Sequence, residues 1–558
     1  MNKKSIILTF GLLMILSFTM PTAFVEEYNL DRNLPAQDNM FLSNEVHDNI
    51  LIVNDTDFIA QAEDEVWPGE GTPSSPYYIE GYNISSDLTG IEIHNVSLYF
   101  VIQNCYIDSV SVTSNDGIYL KNVTHSEIRD TTVQDKINGI SLVYSGNVLV
   151  SGFTVSYCFN GFHLFEANNS RIEYCEIFEC EYGFRSFSSD NLAISNTDVH
   201  DNLYTAIDIM ESDFAEITSC GSYDNGGIGI FVWSSQNITI TENVAYRNGD
   251  LDTGVLLYLS DNATITGNEL YDNQHVGIML EYSNLAIIQD NHISNNSDMG
   301  IYLYDSNNCS IMNNEVWENG FWNLRSPVGG VVLDGSLHSV IQGNSIGNNS
   351  FAGIYLVETV DYGEITGNHI YNNTDHGIYG YDSNDFKVFN NDIWGNGWNS
   401  TSTYVGAIST SACQGWNISE NTIWNNVHHG MYLYGNYFDI VGNRVYNNNE
   451  SGITMIMSSY DSITGNIVHG QDVGISVYNQ HTDVTHNIVF DNGYGIQTYS
   501  CTNVSLYYND LAWNTVNAEE ASCFGVYWHD NQSIGNWWGD YSGASSYGIT
   551  NGTHIVNY

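Results

Sequence analysis

Two acidic residues, Glu358 and Asp382, each stand five positions after a glycine that opens a short apolar run, GIYLVE from Gly353 and GIYGYD from Gly377. If the two runs are neighbouring strands, their backbones lie about 5 Å apart. Carboxylates that close either share a cation such as Ca²⁺ or drive one pKa upward, the split that acid/base hydrolysis needs. Asp334 falls near the same row, and Asp375 with His376 immediately precedes the Gly377 run. These five residues form the candidate catalytic set. In a chain with 65 acidic residues against 12 basic ones, carboxylates also become neighbours with no task to perform, and a solvated role is the competing reading. A second set, His428, Glu450 and Asp472, recurs two residues before successive glycines with His429 alongside. Imidazole and carboxylate together suit a metal, although surface histidines beside acids are ordinary.

The elements that must position these groups come from a repeat. Glycine followed by an apolar residue recurs at Gly117, Gly139, Gly161 and Gly183 in steps of 22, then continues at steps mostly of 21 to 25 to Gly495. Each repeat reads G-I-x-L-x-x-S-x-N-x-x-I-x-x-N-x-I. Apolar residues alternate over runs of about five, the period of a strand and too short for a helix. Glycine and asparagine punctuate the runs because they tolerate left-handed backbone at tight corners. The expectation is an all-β, right-handed, single-stranded parallel β-helix of about 19 coils, each of three strands, with a cap at each end. A column of corner asparagines, Asn268, Asn291, Asn314, Asn344, Asn368, Asn391, Asn421, Asn443, Asn466 and Asn487, should form a structural ladder along the stack. A propeller blade would need about 40 residues, and leucine-rich repeats would put helices where asparagine and glycine stand.

The second and fourth residues after each glycine face outward, and many are aromatic, including Tyr302, Tyr304, Tyr355, Tyr379 and Tyr381. Exposed aromatic rows mark interaction surfaces, and sugars stack their C–H faces on such rings; tyrosines also simply fit pleated sheets. The repeat lengthens to 30 residues after Gly300 and 29 after Gly377, inserting WENGFWNLRSPVG and WGNGWNSTSTYVG at the same corner. The two loops should emerge on one edge roughly 14 Å apart. This predicts a groove walled by Trp322 and Trp398 with Tyr355, Tyr379 and Tyr381 on its floor.

The remaining organisation follows from composition. Lys3 and Lys4 before an apolar Ile6–Met20 stretch read as a signal peptide over 1–23, about 15 apolar residues being too few to cross a bilayer. Residues 24–50 form an extension, 51–89 an N-terminal cap with a short helix, 90–534 the repeats and 535–558 a C-terminal cap. A net charge of −53 argues against nucleic acid and anionic membranes as partners. Nine cysteines in an exported chain invite disulfides, and sequons such as Asn122, Asn237, Asn308 and Asn503 permit glycosylation.

The repeats, the entry segment VWPGEGTPSSPYYIEGYNI and the closing GNWWGDYSG resemble the NosD-like and carbohydrate-binding and sugar hydrolase family of right-handed parallel β-helix proteins over roughly 50–545. The resemblance implies that fold in an exported protein. It leaves a choice among polysaccharide lyases, glycoside hydrolases, uronan epimerases, adhesins and NosD proteins linked to copper-enzyme maturation, because fold does not select function. No Met/His cluster of the kind Cu(I) favours is present, and no Arg or Lys accompanies an acidic cluster at recurring spacing, as a calcium-dependent pectate lyase would require. The reading is a secreted or cell-surface protein whose aromatic face binds a polysaccharide or envelope glycan, with hydrolysis or lysis as its catalytic option and Ca²⁺ as the one cofactor considered. The alternatives are a non-catalytic adhesion protein that uses this face for a surface protein and, more weakly, a NosD-like accessory factor for a metalloenzyme.

Overall fold

A computed structural model describes residues 45–109, 115–249, 253–321, 328–402, 404–530 and 535–539, with two further short strands, Ser546–Gly548 and Ile555–Asn557. The expected signal segment and Trp322 lie outside the described residues. The chain winds into a right-handed parallel β-helix of about 19 coils. One coil shows the plan: Met299–Tyr304, Ser310–Met312 and Glu315–Trp317 are its three strands. Each pairs in parallel with its equivalent a coil away, as Tyr302 pairs with Val332, Val332 with Tyr355 and Tyr355 with Tyr379. Ile301, Leu303, Ile311 and Val316 are fully buried in the shared core. A helix at Asp55–Asp64, capped by the Asn54 side chain accepting from the Thr56 and Asp57 backbone N–H groups, buries Phe58 against Trp67, Tyr77 and Phe100 at the N-terminal end. No helix among the described residues is long and apolar enough to cross a membrane.

Corners carry the left-handed backbone expected of them, at Asn295, Asp305, Glu358 and Asp382 among many. The repeat glycines do something else. A Cβ at Gly377 would sit 2.5 Å from the Ala407 carbonyl oxygen and 2.7 Å from Ile393 Cγ2, so glycine is used there for close approach between coils and not for a left-handed φ.

Inside the stack, Asn268 Nδ2 donates to Asn291 Oδ1 at 2.9 Å, and the same bond repeats down to Asn466 and Asn487. Five residues further on runs a second buried ladder that the sequence analysis missed, through Asn296, Asn319, Asn349, Asn373, Asn396 and Asn426. Its signal was present, since an asparagine follows most members of the first column by five. All nine cysteines are free thiols, eight of them buried singly or beside another thiol with no bridge formed.

Candidate functional site on the outer face of the first strands

The first strands of successive coils form one long face, and three rows of outward side chains run along it. Over coils 353 to 452 those rows carry the tyrosines. Tyr355 and Tyr379 stack at 5.2 Å between ring centres. His376 lies flat on Tyr379 at 4.6 Å, edge-on to Phe351, with its Nδ1 2.9 Å from Ser409 Oγ. Burial, with His428 nearby, pushes the His376 pKa down to about 3. Its imidazole is therefore neutral, a packing and hydrogen-bonding group unsuited to donating a proton at neutral pH.

Beside this cluster lies a depression of about 280 Å³ lined by Tyr379, Tyr404, Tyr432 and Tyr434, by the hydroxyl residues Ser409, Thr410 and Ser411, and by Ile456 and Met457. Tyr404 comes from the end of the second long loop and tilts onto Tyr432 at 5.6 Å. Burial, with Tyr404 close by, pushes the Tyr432 phenol up to about 12, so it stays a neutral donor and acceptor. The strands beneath are among the longest of the described residues, Gly406–Gln414, His429–Asn436 and Ser451–Ser459, and the register shifts where they pair with one another and with Val473–Gln480. Such bulges bend a strand and re-aim its side chains. Gly435 sits in this irregular stretch at φ 156°, where a Cβ would fall 1.9 Å from the Cys413 carbonyl oxygen. Gly435→Ala should therefore cost about 3 kcal/mol or more and displace Tyr434. Unfolding by urea checks the first effect; unchanged stability would show that the bulge has room to relax.

The predicted groove is corrected in its composition. Trp398 does not wall the tyrosine floor: its indole N–H donates to the Asn372 carbonyl at 2.8 Å, and its ring joins Phe321, Asn295, Glu318 and Asn348 around a separate cavity of about 430 Å³ at the corner after the third strands. Of the described loop residues, Trp398 is held at that corner by this bond, while Tyr404 at the far end packs against Tyr432.

Glu358 and Asp382 are exposed corner residues on adjacent coils, and the Glu358 N–H donates to the Tyr381 carbonyl at 3.0 Å. Both have left-handed φ, 40° and 48°, at a row where every coil makes its turn. Asp334 instead accepts the Tyr302 hydroxyl at 3.3 Å, which together with burial drives the Tyr302 phenol far up. Asp375 is half-buried at the coil entry. The five are thus spread over the face, corner and entry of successive coils. In the other set Glu450 grips two imidazoles, Oε1 at 3.1 Å from His428 Nδ1 and Oε2 at 2.9 Å from His429 Nε2. Asp472 turns to solvent, and no group of three or more His, Cys, Asp or Glu side chains among the described residues converges on a metal position. The three-residue metal set is corrected accordingly: Glu450 pairs with His428 and His429, and the exposed Asp472 does not join them.

Two features of the molecule were not foreseen. On the third strands, Tyr371, Trp394, Trp424, Tyr446, His469 and Phe490 stack ring on ring at 4.7 to 6.0 Å. Those rings occupy one another's faces, so this column stabilises the stack and offers a ligand mainly edges. At the N-terminal end of the first-strand face, Ser141, His163, Arg185 and Asp208 follow one another in register. They face outward by strand alternation, yet Ser141, Arg185 and Asp208 are more than nine-tenths buried. Arg185 Nε lies 3.6 Å from Asp208 Oδ2, with the guanidinium over the Tyr182 ring. Burial, opposed by Arg185, pushes Asp208 up to about 6; burial, opposed by bonds from Asn138 and Ser141, does the same to Asp116. Between pH about 4 and about 6 the folded chain then keeps protons that the unfolded chain has released, so stability should fall as pH rises through that window. Thermal midpoints across pH 4–7 test this: Asp208→Asn should flatten the decline, and parallel slopes in variant and wild type would count against it.

Comparison with known proteins follows the fold. A family model described as periplasmic copper-binding protein (NosD) matches residues 99–275, 188–325, 260–439 and 398–543. No curated protein matches the chain. Among solved structures, the Azotobacter vinelandii mannuronan C-5 epimerase AlgE6 A-module is 17% identical, with 61% of this chain and 88% of that one covered at a TM-score of 0.39. The periplasmic alginate epimerase AlgG is 13% identical, with 68% and 85% covered at 0.33. An alginate lyase from Paenibacillus sp. is 14% identical, with 46% and 88% covered at 0.29.

Proposed function

The chain belongs to the NosD family, and we propose that it is an exported member that binds carbohydrate in the tyrosine depression over coils 377 to 452. One observation carries the reading: four tyrosines and three hydroxyl residues converge on a concavity of about 280 Å³ with apolar Ile456 and Met457 beside them. Rings supply surface for sugar C–H faces, and hydroxyls and phenols supply donors and acceptors for sugar hydroxyls. A chain of net charge −53 selects neutral glycans over polyuronates. Binding without cleavage is the form favoured here, since Glu358 and Asp382 are exposed at a backbone corner and neither lines the depression. Copper, which the family description names, finds no group of three or more converging His, Cys, Asp or Glu side chains among the described residues, and burial raises the thiols of Cys105, Cys175, Cys220 and Cys309. A panel of neutral and acidic polysaccharides, assayed for binding and for reducing-end release, tests the proposal. Binding of a neutral glycan without release is expected; release abolished by Glu358→Gln would restore the catalytic reading, and no binding would remove the carbohydrate reading.

A further inference from the structure

The cavity of about 430 Å³ at the corner after the third strands opens to solvent and shares no lining residue with the tyrosine depression. Its size falls within the roughly 300–1,000 Å³ of small-molecule sites. The floor comes from one corner row. Asn295, Glu318 and Asn348 are equivalent residues on three successive coils, each with left-handed φ, so they stand side by side over roughly 10 Å. The walls come from the two inserted loops, Phe321 from the first and Trp398 from the second. These two side chains are 46% and 54% exposed. Trp398 has already spent its indole N–H on the Asn372 carbonyl, so what it still offers a ligand is its ring face.

The lining groups agree on one sign of charge. Glu318 brings a carboxylate, and the faces of indole and phenyl rings attract cations through their quadrupoles. Asn295 donates through its Nδ2 to Asp272 Oδ1, which leaves its amide oxygen to accept. No Lys, Arg or His lines the cavity among the described residues. The net charge of −53 adds to this by enriching cations at the surface and repelling anions. A sugar also packs on such rings, but it presents acceptors as freely as donors, whereas Glu318 only accepts and the Trp398 donor is taken. An ammonium ion presents no acceptor at all.

We propose that this cavity is a binding site for an alkylated ammonium ion, held against the Trp398 and Phe321 rings with Glu318 as its counter-ion and Asn295 and Asn348 beside it. The alkyl groups meet the rings and spread the charge over them, and the carboxylate fixes the side from which the ion is neutralised. None of this depends on the carbohydrate reading above.

The test titrates the full chain with choline and with its neutral isostere, the alcohol in which a tert-butyl group replaces trimethylammonium. Affinities are read by equilibrium dialysis at physiological ionic strength, where diffuse surface charge is screened beyond about 8 Å. Choline should bind, and the alcohol should bind at least about fivefold more weakly. Glu318→Gln and Trp398→Ala should each weaken choline by about fivefold, the scale of one exposed cation–π contact or one solvated charge pair. Glu420→Gln removes the same charge from another exposed left-handed corner and should change nothing, as should Tyr379→Ala/Tyr432→Ala. Glu318→Gln keeps the size and shape of the side chain, so it decides the matter if Trp398→Ala lowers the thermal midpoint. A wild type that binds no choline overturns the proposal. So does choline affinity unmoved by Glu318→Gln, or lowered equally by Glu420→Gln, since the charge then acts diffusely. Equal binding of the alcohol makes the cavity merely apolar and overturns it as well, and loss in the tyrosine variant instead would place the ion in the depression. Neutral-oligosaccharide binding that Trp398→Ala abolishes, with choline unbound, would give the cavity to a sugar.

Discussion

Asn368→Asp is expected to destabilise the chain by about 3–5 kcal/mol at pH 7, more than Asn368→Ala, although aspartate has the shape of asparagine. Asn368 Nδ2 donates to the Ile341 carbonyl and to Asn391 Oδ1, both at 2.9 Å, while its Oδ1 accepts from the Asn344 backbone N–H and Nδ2 at 2.9 and 3.0 Å. An aspartate keeps the accepting half of that arrangement. Its other oxygen, however, meets two acceptors, and a buried charge facing acceptors is repelled with no water to relieve it. Protonation supplies one donor, so the folded state raises the pKa of the new carboxyl. The penalty is then fully present above that raised pKa and shrinks as pH falls toward the unfolded value near 4. Because each coil touches only its neighbours, the loss should concentrate in the adjoining coils. Urea unfolding at pH 7 and pH 4.5, with hydrogen exchange of the amides in 341–396, reads both expectations. An aspartate variant as stable as the wild type at pH 7 would mean that the ladder contributes far less than its geometry implies.

Tyr379→Ala/Tyr432→Ala should weaken neutral-glycan binding by about a hundredfold, the scale of losing two buried aromatic anchors, with a far smaller effect on folding. The second half of that expectation comes from position: both rings lie on the outer face, half-buried, while the core beneath is made by Ile378, Ile408, Met431 and Leu433. Tyr379 also covers His376, so some loss of stability from that single change is built in, and Tyr432→Phe separates hydroxyl from ring. Phenylalanine at 432 should keep most of the affinity if ring stacking dominates. An affinity unchanged in the double variant would remove the depression from the binding surface.

How much of this was legible in the sequence differs between fold and site. The glycine period, the alternation and the asparagine column are properties of every coil, so each coil repeats the same statement and accidental features average out. The site is written once. Whether Trp398 faces Tyr379 or Asn372 depends on how an inserted loop folds back, and no repeat constrains that. The Arg185–Asp208 pair was passed over for a related reason: Arg185 occupies an outward position in its strand, and alternation alone assigns such a residue to solvent.

By itself the sequence determined the winding of the chain, its coil boundaries and the residues that fill the core, because a strand's period and a corner's backbone demands are local and repeat in register. The tertiary structure alone decided which outward residues are buried. It bent the strands at 406–414, 429–436 and 451–459 through shifted register, gathering tyrosines and hydroxyls into one depression. It also enclosed Arg185 and Asp208 between aromatic walls. Burial of an outward side chain is set by neighbours 20 or more residues away along the chain and by the curvature of the face, and neither is encoded in any single repeat.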